Sequence, residues 1–292
     1  MNYLFFYYNE IPTYVKLCLN NILNLDKNAN IFLATDQKIE NKNIKVLNIL
    51  QTDLIEKFEL IKDNFKVFNY DSHNPLWASS LLRIFALKSL KDYFRLDSFV
   101  HFDTDVLIYK SFNDIQDYYK FPGKKISITQ RDSKNLVFGY SYFPNSESID
   151  WLVNKLDKNL LNVKNLQNIY TRGIEIPEMR HLGILYEFYP EMFNLLPILP
   201  YENSQIIFDP ASYGQYLNGT HLKRGNYIFK RRWVSMNHIV GSELKSKRIN
   251  CGFKQQPFVL FEKSKVDLVN LHVHSKNLAK FLPKNQKNYF NL

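Results

Sequence analysis

Apolar and polar positions alternate along the first part of the chain in a way that predicts strands and helices in turn. Short apolar runs at 3–8, 31–36, 44–50 and 99–102 are typical of buried strands. Apolar residues recur at helical spacing between the first two runs, and they do so again over 75–94. Strands that alternate with helices predict a mainly parallel sheet. In such sheets, ligands lie beyond the carboxyl ends of the strands.

The second half of the chain has a less regular pattern. Strand patterns cover 125–129 and 136–143, and helix patterns cover 147–161 and 178–188. The sequence contains no Pro/Gly/Ser-rich linker and no internal repeat. We therefore predict one continuous α/β domain over 1–292, with a mainly parallel central sheet and an elaborated C-terminal part.

The charge balance narrows the classes of partner. Lys and Arg number 38 against 28 Asp and Glu, which gives a formal net charge of +10. A solvated Lys-rich surface would account for this excess. The two functional interpretations are an anionic substrate and an anionic membrane surface. Zinc-finger and basic-zipper patterns are absent from the sequence, so we do not expect a nucleic-acid partner.

Cysteine usage and the N-terminal segment predict the compartment. Cys18 and Cys251 cannot build a disulfide framework, which favours a reducing environment. The opening MNYLFFYYNE has no basic region before its apolar run, unlike a signal peptide. We therefore expect a cytoplasmic protein. Because its net charge is positive, it could also contact the anionic inner face of the cytoplasmic membrane peripherally. Gly is scarce, at 9 residues, and no Gly-rich phosphate loop is present.

Two carboxylates, Asp103 and Asp105, interrupt the apolar stretch SFVHFDTDVLIY at 98–109. Charge in such a stretch is unfavourable unless something neutralises it. Residues i and i+2 of a strand point to the same side, so at a strand end this pair could share a divalent metal ion. Oxygen ligands of this kind suit Mg²⁺ or Mn²⁺. The alternative is a pair of exposed turn acids at a strand terminus.

The acidic pair and the helix before it, which carries Ser79-Ser80-Leu81-Leu82-Arg83, resemble glycosyltransferases of the A-type fold. In that family a helix with a Ser-x-x-x-Arg-like element precedes a strand that ends in an Asp-x-Asp motif. The motif holds a metal that bridges the diphosphate of a nucleotide sugar. The resemblance covers about residues 74–110 in detail. It implies that Asp105 binds the metal, that Asp103 binds the metal, the ribose or both, and that Arg83 lies near the donor.

The same resemblance implies the wider function, as in bacterial capsular and lipooligosaccharide sugar transferases. The chain would be a Rossmann-like A-type glycosyltransferase domain, with a nucleotide-sugar-binding half at 1–110 and an acceptor-binding, metal-completing half at 111–292. Tyr7, in the first aromatic run, is assigned to the donor site. The implied cofactor is Mn²⁺ or Mg²⁺, and the implied donor is a nucleotide-diphosphate sugar, with uridine expected because many related enzymes use it. The implied acceptor is a glycan or a lipid-linked glycan.

Two late histidines, His272 and His274, alternate with apolar residues, so both should face one side of a strand. Imidazole binds Mn²⁺-like ions as well as zinc. Several retaining A-type glycosyltransferases supply a late His to the metal and a following Lys to the diphosphate. By that resemblance, His274 is the first choice for the metal and His272 the second, and Lys276 and Lys280 are candidates for the phosphates. The alternative is a half-exposed strand with solvated histidines.

Catalytic candidates depend on the stereochemical course. An inverting enzyme needs a carboxylate base, for which Glu178 and Asp209 are the candidates. Asp209 and Gln215 lie in the turn-rich stretch 208–219 and could bind sugar hydroxyls. Structural interpretations are a helix first-turn acid for Glu178 and a turn for Asp209. The late His-Lys arrangement favours retention, by resemblance only.

Two other functions stay open at this point. Phosphotransferases of the haloacid-dehalogenase type also place Asp-x-Asp after an apolar strand. That family usually has Thr or Val two residues past the second Asp, where this chain has Leu107, and its motif tends to lie on the first strand. A non-catalytic carbohydrate-binding protein would use the aromatic residues, 15% of the chain, for stacking on sugars alone.

Overall fold

The computed structural model describes residues 1–63, 76–173, 175–201, 205–220 and 237–283. Pro75, the first residue of the predicted helix over 75–94, lies outside the described residues. In the part of the chain that is described, no helix combines the length and the apolar character needed to cross a membrane.

The helices and strands follow the sequence pattern closely in the first half and add several short elements in the second. The strands are β1 (Asn2–Tyr7), β2 (Asn30–Thr35), β3 (Ile44–Asn48), β4 (Phe99–His101), β5 (Val106–Ile108), β6 (Ile126–Asp132), β7 (Asn135–Phe143), β8 (Phe193–Leu195), β9 (Ile206–Ile207), β10 (Asn250–Phe253), β11 (Pro257–Phe261), β12 (Ser264–Leu268) and β13 (Asn270–His272). The α-helices are α1 (Thr13–Leu25), α2 (Leu54–Asp63), α3 (Leu76–Phe94), α4 (Phe112–Tyr118), α5 (Ser146–Leu161), α6 (Val163–Thr171), α7 (Glu178–Phe188), α8 (Tyr213–Tyr216) and α9 (Ile239–Lys245).

The central sheet has the strand order β3-β2-β1-β4-β7-β6-β8 among the described residues. Strands β3, β2, β1 and β4 are parallel, β7 is antiparallel to both β4 and β6, and β8 is parallel to β6. The predicted α/β class with a mainly parallel central sheet is therefore confirmed. The chain forms β2 and β3 on one side of β1 and then returns to form β4 on the other side. This reversal opens a crevice at the carboxyl ends of β1 and β4, where open α/β sheets bind ligands.

A two-stranded sheet connects the C-terminal part of the chain to this crevice. Strand β5 follows β4 after a short turn and pairs antiparallel with β13, with His272 opposite Val106. The remaining small sheet has the order β10-β11-β12-β9. The antiparallel pairing therefore brings the late histidine segment to the end of β4.

Both faces of the central sheet are buried, as expected for parallel strands covered by other elements. Successive residues of a strand point to opposite faces, so β1 contributes to two separate cores. Tyr3 and Phe5 pack with α1 and the C-terminal strands, whereas Leu4 and Phe6 pack with α2, α3, α5 and α7.

Helix α3 is buried along most of its described length, and this matters for the one arginine that it carries. Leu81, Leu82, Ile84 and Leu87 are each 0% exposed. A helix that is apolar on several sides belongs to a protein interior. A charged side chain in its middle, such as Arg83, must therefore find charged or hydrogen-bonding partners.

Leu87→Ala is expected to lower the free energy of unfolding by about 2–5 kcal/mol, because it leaves a cavity in the core beneath the sheet. Urea denaturation followed by far-UV circular dichroism measures the change. The matched control is Leu50→Ala, at a position 60% exposed, where a change of roughly 0.5 kcal/mol or less is expected. Equal effects of the two substitutions would contradict the buried position of α3.

Candidate metal and donor site

The two aspartates lie in the turn between β4 and β5. The backbone N–H of Asp103 donates to Phe138 O (3.1 Å), and the N–H of Val106 donates to Asp103 O (3.0 Å). The first bond holds the turn against β7, and the second closes the turn itself. The side chains of Asp103 and Asp105 are 15% and 18% exposed. Both carboxylates are therefore held, partly buried, at the crevice of the central sheet.

His272 meets both aspartates across the β5–β13 pair. Its Nε2 lies 3.1 Å from Asp105 Oδ1, and its Nδ1 lies 3.6 Å from Asp103 Oδ2. The three side chains offer ligand atoms that all lie within 4.8 Å of one another. Two contacts bring the three side chains together: the pairing of His272 with Val106, and a hydrogen bond from Val273 N–H to Asp105 O (2.9 Å).

The electrostatics of the cluster differ between the two histidines. Burial opposes ionisation of Asp105, but the charges of His272, His274 and Lys276 outweigh it and hold the pKa of Asp105 below its usual value. Burial also opposes protonation of His272, yet the Asp105 carboxylate outweighs it and raises the pKa of His272. Burial and the neighbouring His272 lower the pKa of His274 to about 4. The Asp105 carboxylate therefore favours the protonated form of His272, whereas His274 is neutral near pH 7.

The chemistry of this cluster fits a divalent cation. His272 Nδ1 is buried and has no hydrogen-bond partner among the described residues, although Asp103 lies close to it. Two carboxylates and one imidazole suit Mn²⁺, since Mg²⁺ favours oxygen ligands alone. A cation here would compensate both carboxylates and use the unpartnered ring nitrogen.

His274 stacks on His272, with ring centroids 4.3 Å apart, so the two histidines do share one side. Its Nε2 donates to Ala211 O (3.0 Å) and lies 3.2 Å from Gln215 Nε2. The compact ligand cluster includes His272 and not His274. The geometry therefore favours His272, the second choice of the sequence analysis, as the nitrogen ligand.

Arg83 lies between two carboxylates. Its Nη1 donates to Asp103 Oδ1, and its Nη2 donates to Glu178 Oε2 (2.7 Å). The guanidinium also lies over the Phe138 ring, 5.5 Å from its centre. Glu178 is 2% exposed, and burial raises its pKa, an effect that Arg83 partly offsets. Two residues singled out from the sequence, Arg83 and Glu178, thus lie near the acidic pair. Arg83 contacts Asp103 directly, whereas Glu178 contacts Arg83.

Tyr7 and Lys276 both contact Tyr14. Tyr7 Oη lies 3.0 Å from Tyr14 Oη, and Lys276 Nζ lies 4.9 Å from the centre of the Tyr14 ring. Burial, the bond with Tyr7 and the charge of Asp105 raise the pKa of Tyr14. Two predicted donor residues are therefore brought to the carboxyl end of β1, beside the acidic pair.

Asp209 and Gln215 are buried and form structural contacts. The Asp209 carboxylate accepts hydrogen bonds from the backbone N–H groups of Ser212, Tyr213, Gly214 and His272, at 2.6 to 3.2 Å. Asp209 therefore ties α8 to β13. A side chain at Gly214 would meet His272 O at 1.8 Å, so only glycine allows this close approach.

Lys280 lies apart from the acidic pair in the described contacts. Its Nζ approaches Asn218 O (3.5 Å) and the Phe281 ring (5.1 Å). Its assignment to the phosphates stays a prediction.

A cleft of about 410 Å³ lies at the carboxyl ends of β1 and β2 and is lined by Glu10, Ile11, Lys16, Gln37, Lys38, Ile39 and Glu40.

Sequence reasoning did not assign functional roles to two residues that shape the site. Tyr14 is one of the residues at helical spacing in α1, and its local sequence pattern is the same as that of a core residue. Asn270 donates to Gly139 O (2.9 Å) and accepts from Asp209 N–H (3.0 Å). An amide within the apolar stretch Val269-Asn270-Leu271 is the signal that could have identified it, because buried amides need partners.

Comparison with known proteins gives matches among solved structures only. No protein-family model and no curated protein matches the chain. The apo form of mouse xyloside xylosyltransferase 1 is 13% identical, with 67% of this chain and 84% of that chain covered and a TM-score of 0.45. The galactosyltransferase LgtC in complex with donor and acceptor sugar analogs is 11% identical, with 68% and 73% covered and a TM-score of 0.44. An active-site mutant of LgtC is 11% identical, with 80% and 82% covered and a TM-score of 0.46.

The enzymes in these structures are of the class that the Asp-x-Asp segment resembles.

His272→Gln is expected to lower the free energy of unfolding more at about pH 5 than at about pH 8.5, with a chelator present. The raised pKa of His272 means that its stabilising contribution is fully present below 6.5 and is lost as pH rises through the higher folded value. The lowered pKa of Asp105 keeps its contribution present above 3.8, so it is lost only on further acidification. Urea denaturation at both pH values measures the difference.

His274→Gln is the matched control, because the pKa shift of His274 has the opposite sign. The stabilisation from neutral His274 is present above 6.5 and is lost as pH falls towards about 4. This control should therefore destabilise less at the lower pH. A shared pH trend for both variants would contradict the different environments of the two rings.

Proposed function

We propose that this protein is a metal-dependent glycosyltransferase that moves a sugar from a nucleotide-diphosphate sugar, with uridine as the base, to a glycan or lipid-linked glycan acceptor. The observation that carries the proposal is the convergence of Asp103, Asp105 and His272 within 4.8 Å at the crevice between β1 and β4. Two carboxylates and an imidazole at that position suit a cation that binds a diphosphate.

The surroundings of the cluster suit a nucleotide donor. The cleft of about 410 Å³ beside β1 and β2 is large enough for a nucleoside, since small-molecule sites measure roughly 300–1,000 Å³. Lys276 Nζ lies 4.9 Å from the centre of the Tyr14 ring, and its charge contributes to the lowered pKa of Asp105. An ammonium at that position would bind the diphosphate and stabilise the charge that develops when its bond to the sugar breaks.

Asp103, Asp105 and His272 would hold the metal, and when bound the metal would neutralise negative charge on the leaving diphosphate. Arg83 holds the Asp103 carboxylate in place from the side of α3. Glu178 in turn fixes the other end of the guanidinium. The roles of these residues are thus to bind, orient and compensate charge.

Retention of configuration is the course that the contacts favour. The two carboxylates predicted as the base of an inverting enzyme are both engaged, Glu178 with Arg83 and Asp209 with four backbone N–H groups. Both are also almost fully buried. The anomeric configuration of the first-formed product, measured by ¹H NMR, tests this course, and an inverted product would overturn it.

Asp105→Ala is expected to lower release of nucleotide diphosphate by roughly 100-fold or more, because a metal supplies several kcal/mol of charge stabilisation. The assay presents a panel of nucleotide sugars and glycan acceptors with Mn²⁺ or with chelator. The chelator should reduce the wild type to the level of the variant. Mn²⁺ binding measured by calorimetry should weaken more in His272→Ala than in His274→Ala.

Asp157→Ala is the matched control, because Asp157 pairs with Lys57 and lies away from the cluster. Its activity and its Mn²⁺ binding should equal those of the wild type. Turnover that Asp105→Ala leaves unchanged would contradict the metal site. Hydrolysis of simple phosphomonoesters through a phosphorylated Asp103 would instead support the phosphotransferase.

Glu178→Gln is expected to retain more activity than Glu178→Ala, because an amide oxygen can still accept a hydrogen bond from Arg83. About a tenfold loss in kcat is expected for Gln and a larger loss for Ala. A general base would give a different result: both variants would lose roughly 10²–10⁴-fold. Equal losses in that range, with unchanged thermal stability, would assign Glu178 as the base.

A further inference from the structure

Two of the most exposed apolar side chains in the described part of the chain lie in the short surface helix α6 or just before it. Leu161, at the end of α5, is 87% exposed, and Ile169, in α6, is 71% exposed. Single exposed apolar residues are ordinary on protein surfaces. Here two large ones lie eight positions apart around α6, while Val163, the first residue of that helix, is buried against the body of the protein.

Along the sequence from residue 158 to residue 172, the charged side chains all have one sign. Between Lys158 and Arg172 the sequence contains three cations, the third being Lys164, and no Asp or Glu. All three are exposed, and none has an ion-pair partner among the described residues. We refer to Leu161, Ile169, Lys158, Lys164 and Arg172 together as the α6 patch.

The α6 patch is connected to the side of the molecule on which the candidate site lies. The Tyr170 ring of α6 packs beneath the guanidinium of Arg180, 5.0 Å from its centre. Arg180 belongs to the first turn of α7, as does Glu178, which holds Arg83. Helix α6 therefore packs against the same end of α7 that supports the acidic pair.

We propose that the α6 patch docks this protein on an anionic lipid bilayer. Cations next to an anionic membrane each gain attraction, and exposed aliphatic side chains enter the interface between headgroups and acyl chains. The net charge of +10 adds long-range attraction of the same sign. The proposal goes beyond glycosyl transfer, because the docking depends on no donor and no acceptor.

A second copy of this chain fits the α6 patch less well. A two-fold interface places the same surface of each subunit against the other, so three cations would face three cations. A bilayer of anionic lipid instead complements both the positive charge and the apolar side chains.

Vesicle flotation of the full chain tests the proposal. Binding is expected to vesicles of phosphatidylcholine with phosphatidylglycerol, to be weaker for phosphatidylcholine alone, and to decrease with salt. Leu161→Gln with Ile169→Gln should weaken binding by roughly tenfold or more. Lys158→Gln with Lys164→Gln should weaken it by roughly fivefold for each cation removed.

Two matched variants and a stability measurement serve as controls. Leu260→Gln changes another exposed aliphatic residue, and Lys120→Gln with Lys124→Gln changes two exposed cations elsewhere. These controls should bind vesicles as the wild type does. All variants should keep the melting temperature of the wild type, because every substituted side chain lies at the surface.

Three results would overturn the proposal. The first is a wild type that does not bind anionic vesicles, and the second is binding that the α6-patch variants leave unchanged. The third is a dimer in gel filtration that the Leu161→Gln, Ile169→Gln variant converts to monomer, since the patch would then be an interface between copies.

Discussion

The antiparallel pairing of β5 with β13 is the constraint on which the candidate site depends. It places His272 opposite Val106 and bonds Val273 N–H to Asp105 O. A slip by one residue would turn His272 away from the aspartates, because alternate residues of a strand face opposite sides. Asn270 fixes the register through bonds to Gly139 and Asp209, and Gly214 allows α8 to approach the same strand closely.

The charged side chains of the site are arranged in space as a row in which the sign alternates. Each side chain contacts the next, in the order Glu178, Arg83, Asp103, His272 and Asp105. Buried ionic groups are tolerated when each has a partner, and removal of one leaves its neighbour uncompensated. Even with His272 protonated, the three carboxylates outnumber the two cations, so the arrangement attracts a further positive ion. The electrostatics of the free protein therefore already prepare the site for a cation.

The central sheet places two different surfaces around this cluster. The carboxyl ends of β1 and β2 open into the cleft, and Tyr7 is the last residue of β1. On the other side, the first turn of α7 supports Arg83 through Glu178 and packs against α6 through Arg180 and Tyr170. We propose that the first surface binds the donor and that the α6 patch, on the second, binds a bilayer.

Features that depend on local periodicity could be predicted from the amino-acid sequence alone. Apolar runs and helical spacing predicted β1, α1, β2 and α3, and the acidic pair was correctly placed after β4, where a parallel sheet binds ligands. Alternation also placed His272 and His274 on one side. Local patterns say nothing about which distant segment pairs with β5, because register is set by contacts between residues far apart in the chain. Contacts between distant segments therefore account for the place of His272 in the cluster, the burial of Asp209 under backbone N–H groups, and the contacts of Tyr14 with Tyr7 and Lys276.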